Sequence, residues 1–324
     1  MAEYINIRGQ SIEVLASDPA NPTIGQIWYN STSNTLKGQG ATTAGTWATG
    51  NNMNTARAYP MRAGTQTAAL SSGGEEAPGT TGVTEEYDGT SWTNSNNLNT
   101  ARQSGAGAGT QTAALDFGGG PGASTATEEY NGATWASSNP LNTGRDYIAG
   151  AGTQTAGLAF GGLIPPRTGA TEEYDGTSWT SNPTGLNTVR ALLGGCGTQT
   201  AALAFGGSIP PDTGATEEYN GSTWATSPGS LNTARANFGG DGSQTAAFAA
   251  GGQSSPTNAE VELYDGTSWT TNPNSLATAR FGAGNSGTQA AGLVFGGYRP
   301  VPGYTGATEE FTGPGPVIVT ITAS

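Results

Sequence analysis

The stretch GTQTAALDFGG at residues 109–119 decides the fold of this chain, because close copies of it recur along the sequence. The phrase begins at six glycines spaced 43 to 45 residues apart: Gly64, Gly109, Gly152, Gly197, Gly242 and Gly287. Each copy runs into a Gly-Gly pair and then into Thr-Glu-Glu-Tyr or a close variant. A regular period of this length indicates a repeat protein in which each repeat is one supersecondary unit.

Two aromatic series follow the repeat and are out of phase with each other by one copy. The first series is Tyr87, Tyr130, Tyr174, Tyr219, Tyr264 and Phe311. A Trp stands five positions after each of these except the last, and one more Trp precedes the first copy, so the second series is Trp47, Trp92, Trp135, Trp179, Trp224 and Trp269.

The composition favours short strands and many turns. Of 324 residues 53 are Gly, and only 11% are charged, while no window combines helix formers with an apolar period of 3.6. Each repeat predicts a four-stranded antiparallel meander, for example Ser104–Ala108, Gln111–Phe117, Thr127–Tyr130 and a strand centred on Trp135. Asn-Gly or Asp-Gly between the last two strands is the strongest local hairpin signal.

A hydrophobic strand ending in Gly-Gly, then a Tyr, then a Trp, resembles the kelch repeat, whose members form β-propellers with one repeat per blade. The resemblance covers residues 45–311 and keeps its order in six copies. It implies an all-β, six-bladed propeller. We place the propeller at residues 38–324 and a separate N-terminal segment at residues 1–37.

A second resemblance links the chain to kelch-like proteins of tailed bacteriophages of aquatic bacteria. The linkers rich in Gly, Thr and Asn carry it, together with Asp18-Pro19 and the run Gly25-Gln26-Ile27-Trp28-Tyr29-Asn30, which is similar to the opening of many phage virion proteins. The N-terminal segment adds an alternating run at residues 4–7 and a hairpin from Gly25 to Lys37. It is too short for its own core and should need a neighbour to fold on.

The phase shift between the aromatic series predicts how the ring closes. If the Trp47 strand completes the last blade, both sheet edges are hidden and the chain ends are tied together. The alternative is that the β-branched run Val317–Thr322 supplies the fourth strand of that blade. We favour closure through Trp47, which leaves the C-terminal run to pair elsewhere.

Recurrent Arg and Glu residues predict structural ion pairs. The arginines are Arg57, Arg102, Arg145, Arg190, Arg235 and Arg280, and the first glutamates are Glu85, Glu128, Glu172, Glu217, Glu262 and Glu309. Each of these Glu shares a strand face with its aromatic residue and needs a buried partner. The second Glu of each pair, replaced by Leu263 in the fifth copy, faces the other way and should be solvated.

Enzyme chemistry finds little support, so we expect no catalytic residues, no metal and no cofactor. The sequence has no His, which removes the usual general base and the commonest metal ligand. Copper radical oxidases of the kelch class use His, Tyr and a Tyr-Cys crosslink, and this chain has one Cys and no His. Asp88-Gly89-Thr90-Ser91-Trp92 resembles a sialidase Asp box but is one residue short and doubles as a turn. A glycosidase acting through two carboxylates stays open.

Charge and targeting signals limit the partners. The net charge of −13 argues against nucleic acid and against anionic membranes. Met1 to Gln10 is polar and no apolar run approaches ~18 residues, which predicts neither a signal peptide nor membrane insertion. Cys196 stands where other copies have Ala or Asp and should be a small core or channel residue.

Variation between repeats concentrates on one predicted face. The loops joining strands 2 and 3 differ in every copy, whereas the turns on the opposite face are nearly identical, and binding residues concentrate in variable loops on rigid scaffolds. The candidate ligand-binding residues are Ile164, Pro165, Arg167, Ile209, Pro210, Asp212, Tyr298, Arg299 and Tyr304.

These observations lead to the expectation of a non-enzymatic bacteriophage virion protein, made in the host cytoplasm. It would be a tail fibre or receptor-binding component whose variable loops meet a host glycan or protein. Residues 1–37 would dock it to other virion proteins or to identical chains. The alternatives are a capsid decoration protein and a carbohydrate-active propeller enzyme.

Overall fold

The computed structural model describes residues 12–42, 44–254 and 256–321, and within them every regular element is a β-strand. The predicted run at residues 4–7 lies outside this part of the chain. In chain order the strands are β1 (Glu13–Leu15), β2 (Ile27–Asn30), β3 (Thr35–Ala41), β4 (Thr46–Gly50), β5 (Met61–Thr65), β6 (Ala68–Glu76), β7 (Gly79–Tyr87), β8 (Trp92–Ser95), β9 (Ala106–Thr110), β10 (Ala113–Phe117), β11 (Thr127–Tyr130), β12 (Trp135–Ser138), β13 (Ala149–Thr153), β14 (Ala156–Phe160), β15 (Thr171–Tyr174), β16 (Trp179–Asn182), β17 (Gly194–Thr198), β18 (Ala201–Phe205), β19 (Thr216–Tyr219), β20 (Trp224–Thr226), β21 (Gly239–Ser243), β22 (Ala246–Ala250), β23 (Val261–Tyr264), β24 (Trp269–Asn272), β25 (Gly284–Gly287), β26 (Ala291–Phe295), β27 (Tyr298–Arg299), β28 (Gly303–Tyr304), β29 (Thr308–Thr312) and β30 (Pro316–Thr320).

The repeat region is a β-propeller of six four-stranded antiparallel sheets, which confirms the predicted fold class. Blade 1 is β5–β8, blade 2 is β9–β12, blade 3 is β13–β16, blade 4 is β17–β20, blade 5 is β21–β24, and blade 6 is β25, β26, β29 and β4. No sheet closes on itself. The innermost strands β5, β9, β13, β17, β21 and β25 each touch the next around the ring, and β25 touches β5.

Glycine at the inner strands permits this close approach. A Cβ on Gly107 of blade 2 would lie 2.2 Å from the carbonyl oxygen of Arg62 in blade 1, so only glycine fits there. The first strand begins later than predicted, at Ala106 rather than Ser104, because Ser104 adopts a left-handed conformation with φ of 58°. Gln111 and Thr112 belong to the turn, so the second strand begins at Ala113.

The ring closes through the N-terminal strand, as the phase shift predicts. β4 pairs with β29 in blade 6, with Trp47 opposite Phe311. The C-terminal run instead forms β30, which pairs with β3.

The described residues form two compact units, one within residues 46–313 and a second built from residues 12–45 with 314–321. The boundary predicted from sequence between the N-terminal segment and the propeller follows Lys37, which lies inside β3. That prediction also assigns the C-terminal run to the propeller, whereas β30 pairs with β3.

The second unit is a four-stranded sheet in the order β1, β2, β3, β30, with the predicted hairpin formed by β2 and β3. The Asp18 carboxylate makes three of the side-chain contacts within this unit. It accepts hydrogen bonds from Trp28 Nε1 at 3.1 Å and Asn30 Nδ2 at 2.7 Å, and pairs with Lys37 Nζ at 2.7 Å. The bond to Lys37, helped by those of Asn30 and Trp28, lowers the pKa of Asp18 to about 2. These bonds give Trp28 and Asn30, in the run from Gly25 to Asn30, a structural role within this sheet.

Repeated Gln side chains link the blades of the propeller. Gln111 in blade 2 donates from Nε2 to the carbonyl oxygens of Ala69 and Tyr87 in blade 1, at 3.0 and 2.7 Å. The equivalent bonds recur at every junction, made by Gln66, Gln154, Gln199, Gln244 and Gln289. The Gln of each repeated Gly-Thr-Gln phrase therefore holds its blade to the preceding one through two hydrogen bonds.

The second Glu of each repeat also links blades, so the prediction that it is solvated is wrong. Glu218 of blade 4 accepts the hydroxyl of Tyr264 in blade 5 at 2.8 Å. Four further junctions repeat this bond, through the pairs Tyr130–Glu86, Tyr174–Glu129, Tyr219–Glu173 and Tyr87–Glu310. Burial, together with the bond to Glu86, raises the pKa of Tyr130 to about 12. The Tyr that bonds to each second Glu lies in the neighbouring blade. The alternation of side chains along one strand shows only which face the Glu occupies, so it does not reveal this partner.

The seam between blades 5 and 6 replaces these polar links with apolar contacts. Leu263 stands where the other blades have the second Glu, and the residue facing it from blade 6 is Phe311, which has no hydroxyl. Val261 likewise replaces the Thr that accepts the indole N–H of the next Trp, for example Thr216 with Trp269 at 2.9 Å. Trp47 Nε1 accordingly is buried without a hydrogen-bond partner in the described chain.

Restoring the missing polar link should reveal favourable coupling. Phe311→Tyr alone buries a hydroxyl against Leu263, and Leu263→Glu alone buries a carboxylate without its donor, so each should cost about 1–3 kcal/mol. The double variant should be more stable than the sum of the two costs predicts, by about 1 kcal/mol or more. Urea unfolding of the four proteins measures this coupling. The reverse cycle, Tyr219→Phe with Glu173→Leu, is the matched control, and additive costs in both cycles would contradict the pairing.

The predicted ion pairs are present in all six blades. Each Arg lies within 3.0 Å of its Glu, and every partner is at least nine-tenths buried, in the pairs Arg57–Glu85, Arg102–Glu128, Arg145–Glu172, Arg190–Glu217, Arg235–Glu262 and Arg280–Glu309. The Glu also accepts backbone N–H groups of the loop that ends at the repeated Arg, whose sequence is Asn-Thr-Ala-Arg or a close variant. In blade 3 this loop is residues 142–145, and Glu172 accepts from Asn142 N at 2.7 Å and from Thr143 N at 3.3 Å. The phrase is thus a carboxylate-binding loop within each blade.

Asp116 should make the stability fall as the pH rises. It is fully buried in β10, and burial raises its pKa to about 7 despite the charge of Arg102 and the bond from Ser72. The unfolded chain releases this proton near pH ~4, so between about pH 4 and 7 the folded state holds more protons and loses stability, at up to about 1.4 kcal/mol per pH unit. Asp116→Asn should remove this contribution. Urea unfolding at pH 4.5 and 7.5 tests it, with the loop variant Asp212→Asn as control; equal slopes in wild type and Asp116→Asn would contradict it.

Candidate binding site on the variable face

The two faces of the propeller differ in chemistry. One face carries near-identical hairpins in which Asp or Asn accepts two backbone N–H groups, as Asp88 Oδ1 does from Thr90 at 2.8 Å and Ser91 at 2.7 Å. These bonds lower the pKa of Asp88 and fix the turn, so the Asp-box-like sequence is a structural turn. We call this side the turn face.

The opposite side, which we call the variable face, carries the loops after the Gly-Gly pairs. Each loop starts with a backbone bridge to the segment that enters the blade, at Ala58–Glu75, Gln103–Gly120, Asp146–Leu163, Ala191–Ser208, Ala236–Gln253 and Phe281–Tyr298. The six loops are therefore anchored at one end in the same way, while their sequences differ.

A ring of left-handed residues surrounds the axis on this face. Two positions after each repeated Arg the backbone φ is between 50° and 62°, at Tyr59, Ser104, Tyr147, Leu192, Asn237 and Gly282. At five of the six steps around this ring the backbone N–H donates to the carbonyl of the preceding ring residue, for example Ser104 N to Tyr59 O at 3.0 Å. The exception is Tyr147, whose N–H donates to Asp146 Oδ1 at 2.9 Å. Non-glycine residues in this conformation are uncommon and cluster at functional sites. The ring sets five different side chains around one opening.

Aromatic rings extend from this opening over blades 6 and 1. The ring centroids of Tyr147 and Tyr59 lie 6.1 Å apart, and those of Tyr59 and Phe281 lie 6.5 Å apart. Phe281 is 5.4 Å from Tyr298, which is 5.2 Å from Tyr304 at an interplanar angle of 83°. The result is a continuous aromatic row.

A pocket of about 180 Å³ lies within this row, lined by Tyr59, Glu75, Phe281, Tyr298 and Tyr304. All five side chains are half-buried. Burial, reinforced by a hydrogen bond to the Glu75 carboxylate, raises the pKa of Tyr304 to about 12. We call this the aromatic pocket.

The residues predicted from sequence divide between two places. Tyr298 and Tyr304 form the antiparallel pair of β27 and β28 and line the aromatic pocket, whereas Arg299 does not line it. Pro210 and Asp212 line a separate open depression of about 420 Å³. Arg167 Nη2 reaches Ser208 Oγ at 3.3 Å, which ties its loop to the next. Ile164 and Ile209 are half-buried, and Pro165 is exposed.

The sequence analysis missed Tyr59, Tyr147, Phe281 and Glu75. Tyr59 and Tyr147 follow a repeated Arg by two positions. Five residue types occur at that position in the six copies, so no shared residue marks it. The residue two positions after the Arg varies between copies although the Arg itself recurs in all six. This contrast is the sequence feature that could have identified Tyr59 and Tyr147.

The axis holds a second cavity of about 190 Å³, lined by the inner-strand glycines together with Arg62, Cys196 and Asp241. Burial raises the pKa of Asp241 to about 7, opposed by the charge of Arg62. Burial also raises the pKa of the Cys196 thiol. Cys196 is thus the channel-lining residue that its position predicts.

Among the described residues, no cluster of three or more His, Cys, Asp or Glu has metal-ligand spacing. No helix in the described part of the chain could span a membrane.

The architecture and the arrangement of its faces define the protein as a β-propeller. No family model matches the chain, and no curated protein matches it. Its fold is similar to that of the solved structure titled "Structure of YjhT", with a TM-score of 0.69 and 11% sequence identity, covering 83% of this chain and 99% of that one. At this identity the similarity shows the fold alone.

Proposed function

We propose that this protein is a non-enzymatic binding component of a bacteriophage virion, a tail fibre or receptor-binding protein that turns its variable face toward the host. The observation that carries the proposal is the difference between the two faces. Five near-identical Asp-Gly or Asn-Gly hairpins form the turn face, whereas the variable face gathers half-buried aromatic rings from two blades into a pocket. The kelch and phage resemblances of the sequence supply the biological setting.

The pocket chemistry supports recognition of a surface ligand. Aromatic side chains contribute large contact areas at low entropic cost and are enriched where proteins bind glycans and other proteins. Tyr59, Tyr298 and Tyr304 add hydroxyl groups to the pocket lining, and a rigid ring of blades holds them in place. A binding module needs this kind of preformed, asymmetric site on a repetitive scaffold.

The second unit supports an attachment role. Of the seven large hydrophobic side chains exposed among the described residues, five belong to this unit: Ile12, Val14, Ile24, Ile318 and Val319. Apolar side chains concentrated on so small a sheet indicate a contact surface for another protein. In the proposed function this surface joins the propeller to other virion proteins or to identical chains.

Virions carrying variant propellers test the proposal. Tyr298→Ala with Tyr304→Ala on the variable face should slow adsorption to host cells at least about tenfold, because hot-spot aromatic residues dominate binding energy. Thr90→Ala with Thr177→Ala on the turn face is the matched control and should leave adsorption unchanged. Circular dichroism of the purified variants confirms that both fold.

Electron microscopy of virions labelled with an antibody to the propeller locates the protein. Label at the tail or fibre tips supports the proposal. Label over the shell, with adsorption unaffected by either variant, would instead identify a capsid decoration protein, and absence from purified virions would overturn the virion assignment.

A further inference from the structure

The aromatic pocket has walls rather than a flat platform. Tyr298 and Tyr304 meet nearly at right angles, with an interplanar angle of 83°, and Phe281 stands tilted at 45° to Tyr298. Tyr59 closes the side toward the axis. The apolar C–H face of a sugar ring stacks best on one broad exposed aromatic face. Several rings set around a small volume instead suit a compact, rounded group that touches more than one face.

The charge at the pocket is negative and is not neutralised. Glu75 supplies the only carboxylate among its lining residues, and in the described chain no Lys or Arg lies within ion-pair distance of that carboxylate. The Glu75 charge acts on the rings, since it helps to raise the pKa of Tyr304 and of Tyr147. Arg299, which follows Tyr298 in sequence, does not line the pocket; burial, helped by the charge of Arg299, lowers the pKa of Arg280 to about 10.

The rest of the molecule reinforces this preference for positive charge. The net charge of −13, with a single Lys in the chain, gives a negative field that draws cations toward the surface. Aromatic faces carry negative electrostatic potential, and they attract ammonium groups most strongly when the site is partly desolvated.

We propose that the aromatic pocket binds a quaternary ammonium group presented by the partner surface. The cation would contact the faces of Phe281, Tyr298 and Tyr304, with Glu75 as the counter-charge. The pocket volume of about 180 Å³ is large enough for such a head group. This inference rests on the proposed function for the origin of the ligand, but the pocket chemistry can be tested on the purified protein alone.

Calorimetric titration with tetramethylammonium chloride is the first test, with sodium chloride at the same ionic strength as the reference. Saturable, millimolar binding of tetramethylammonium and none of sodium is expected. Glu75→Gln should weaken the binding about tenfold, since it removes one charge at close range. Phe281→Leu should abolish it, because the apolar volume is kept and the aromatic face is lost. Asp212→Asn, a carboxylate elsewhere on the variable face, is the matched control and should bind as the wild type does.

Tyr304→Phe distinguishes a cation site from a structural bond. This variant keeps the ring but removes the hydroxyl that occupies Glu75, so tetramethylammonium should bind at least as tightly as to the wild type. Binding that is absent, or equal in wild type and Glu75→Gln, would overturn the inference, as would binding of a neutral oligosaccharide that tetramethylammonium does not displace. Phosphocholine and a peptide with trimethyl-lysine then separate lipid or glycan sources from protein ones.

The two proposals can fail separately. If tetramethylammonium binds but the Tyr298 and Tyr304 changes leave adsorption unaffected, the host-recognition role is wrong and the cation site stands. If adsorption is lost in those variants while no ammonium compound binds, recognition stands and the ligand class is wrong.

Discussion

Replacing Glu172 with Leu should lower the free energy of unfolding by about 3–5 kcal/mol, because the change strands a buried guanidinium. Arg145 and Glu172 are both almost completely buried and lie 2.8 Å apart. Burial lowers the pKa of Arg145, and the Glu172 carboxylate opposes that shift. The same carboxylate accepts the N–H groups of Asn142 and Thr143, so its loss also leaves a loop without acceptors. Urea denaturation followed by Trp fluorescence measures the effect.

The adjacent residue provides a matched control. Glu173 lies in the same strand, is half-buried and accepts the hydroxyl of Tyr219, so Glu173→Leu should cost only about 1 kcal/mol. Adding Arg145→Met to Glu172→Leu should recover part of the loss, since replacing both members of a buried pair is far less costly than replacing one. Equal losses for Glu172→Leu and Glu173→Leu would refute the account.

Removing β4 should open the ring. A chain of residues 46–313, which is one compact unit, should be monomeric and unfold cooperatively. A chain of residues 51–313 lacks the five residue pairs between β4 and β29, which leaves β29 as an unpaired edge beside the exposed ring of Phe311. Loss of this pairing together with the buried Trp47 should lower the melting temperature by about 10 °C or more, and promote self-association.

Thermal melts and size-exclusion chromatography compare these two chains directly. They differ by five residues and share every other strand of the propeller, so the comparison isolates β4. Equal melting temperatures, with both chains monomeric, would show that β4 does not close the ring.

Much of the propeller could be predicted from sequence because its contacts repeat. The ion pair of Arg145 and Glu172 recurs in every copy, and the offset between the Tyr and Trp series places Trp47 opposite Phe311. The link between Tyr264 and Glu218 was missed because its partners lie in different repeats, and only the packing of neighbouring blades brings them together. Local parity says which way a side chain points but not which blade it reaches.

The binding site was harder to predict for the opposite reason. Tyr298 and Tyr304 were found because they lie in an obviously variable loop. Tyr59 and Glu75 were not, since their contribution depends on a left-handed backbone and on a bridge between two loops of blade 1. A site that breaks a repeat leaves no recurring pattern, and its members become visible only when the chain is folded.

The apolar seam between blades 5 and 6 has a kinetic consequence. β4 joins blade 6 at this seam. The apolar contacts of Trp47 and Phe311 with blade 5 do not depend on a precise orientation, whereas the hydrogen bonds at the other seams require correctly oriented hydroxyl and indole groups. Strand β4, the first propeller strand in the chain, can therefore dock last during folding, because its side chains need no fixed orientation. In the folded protein the same seam should be the first to open transiently. Amide hydrogen exchange should be faster in residues 261–264 than in residues 171–174, the corresponding strand of blade 3, and equal protection would contradict this order.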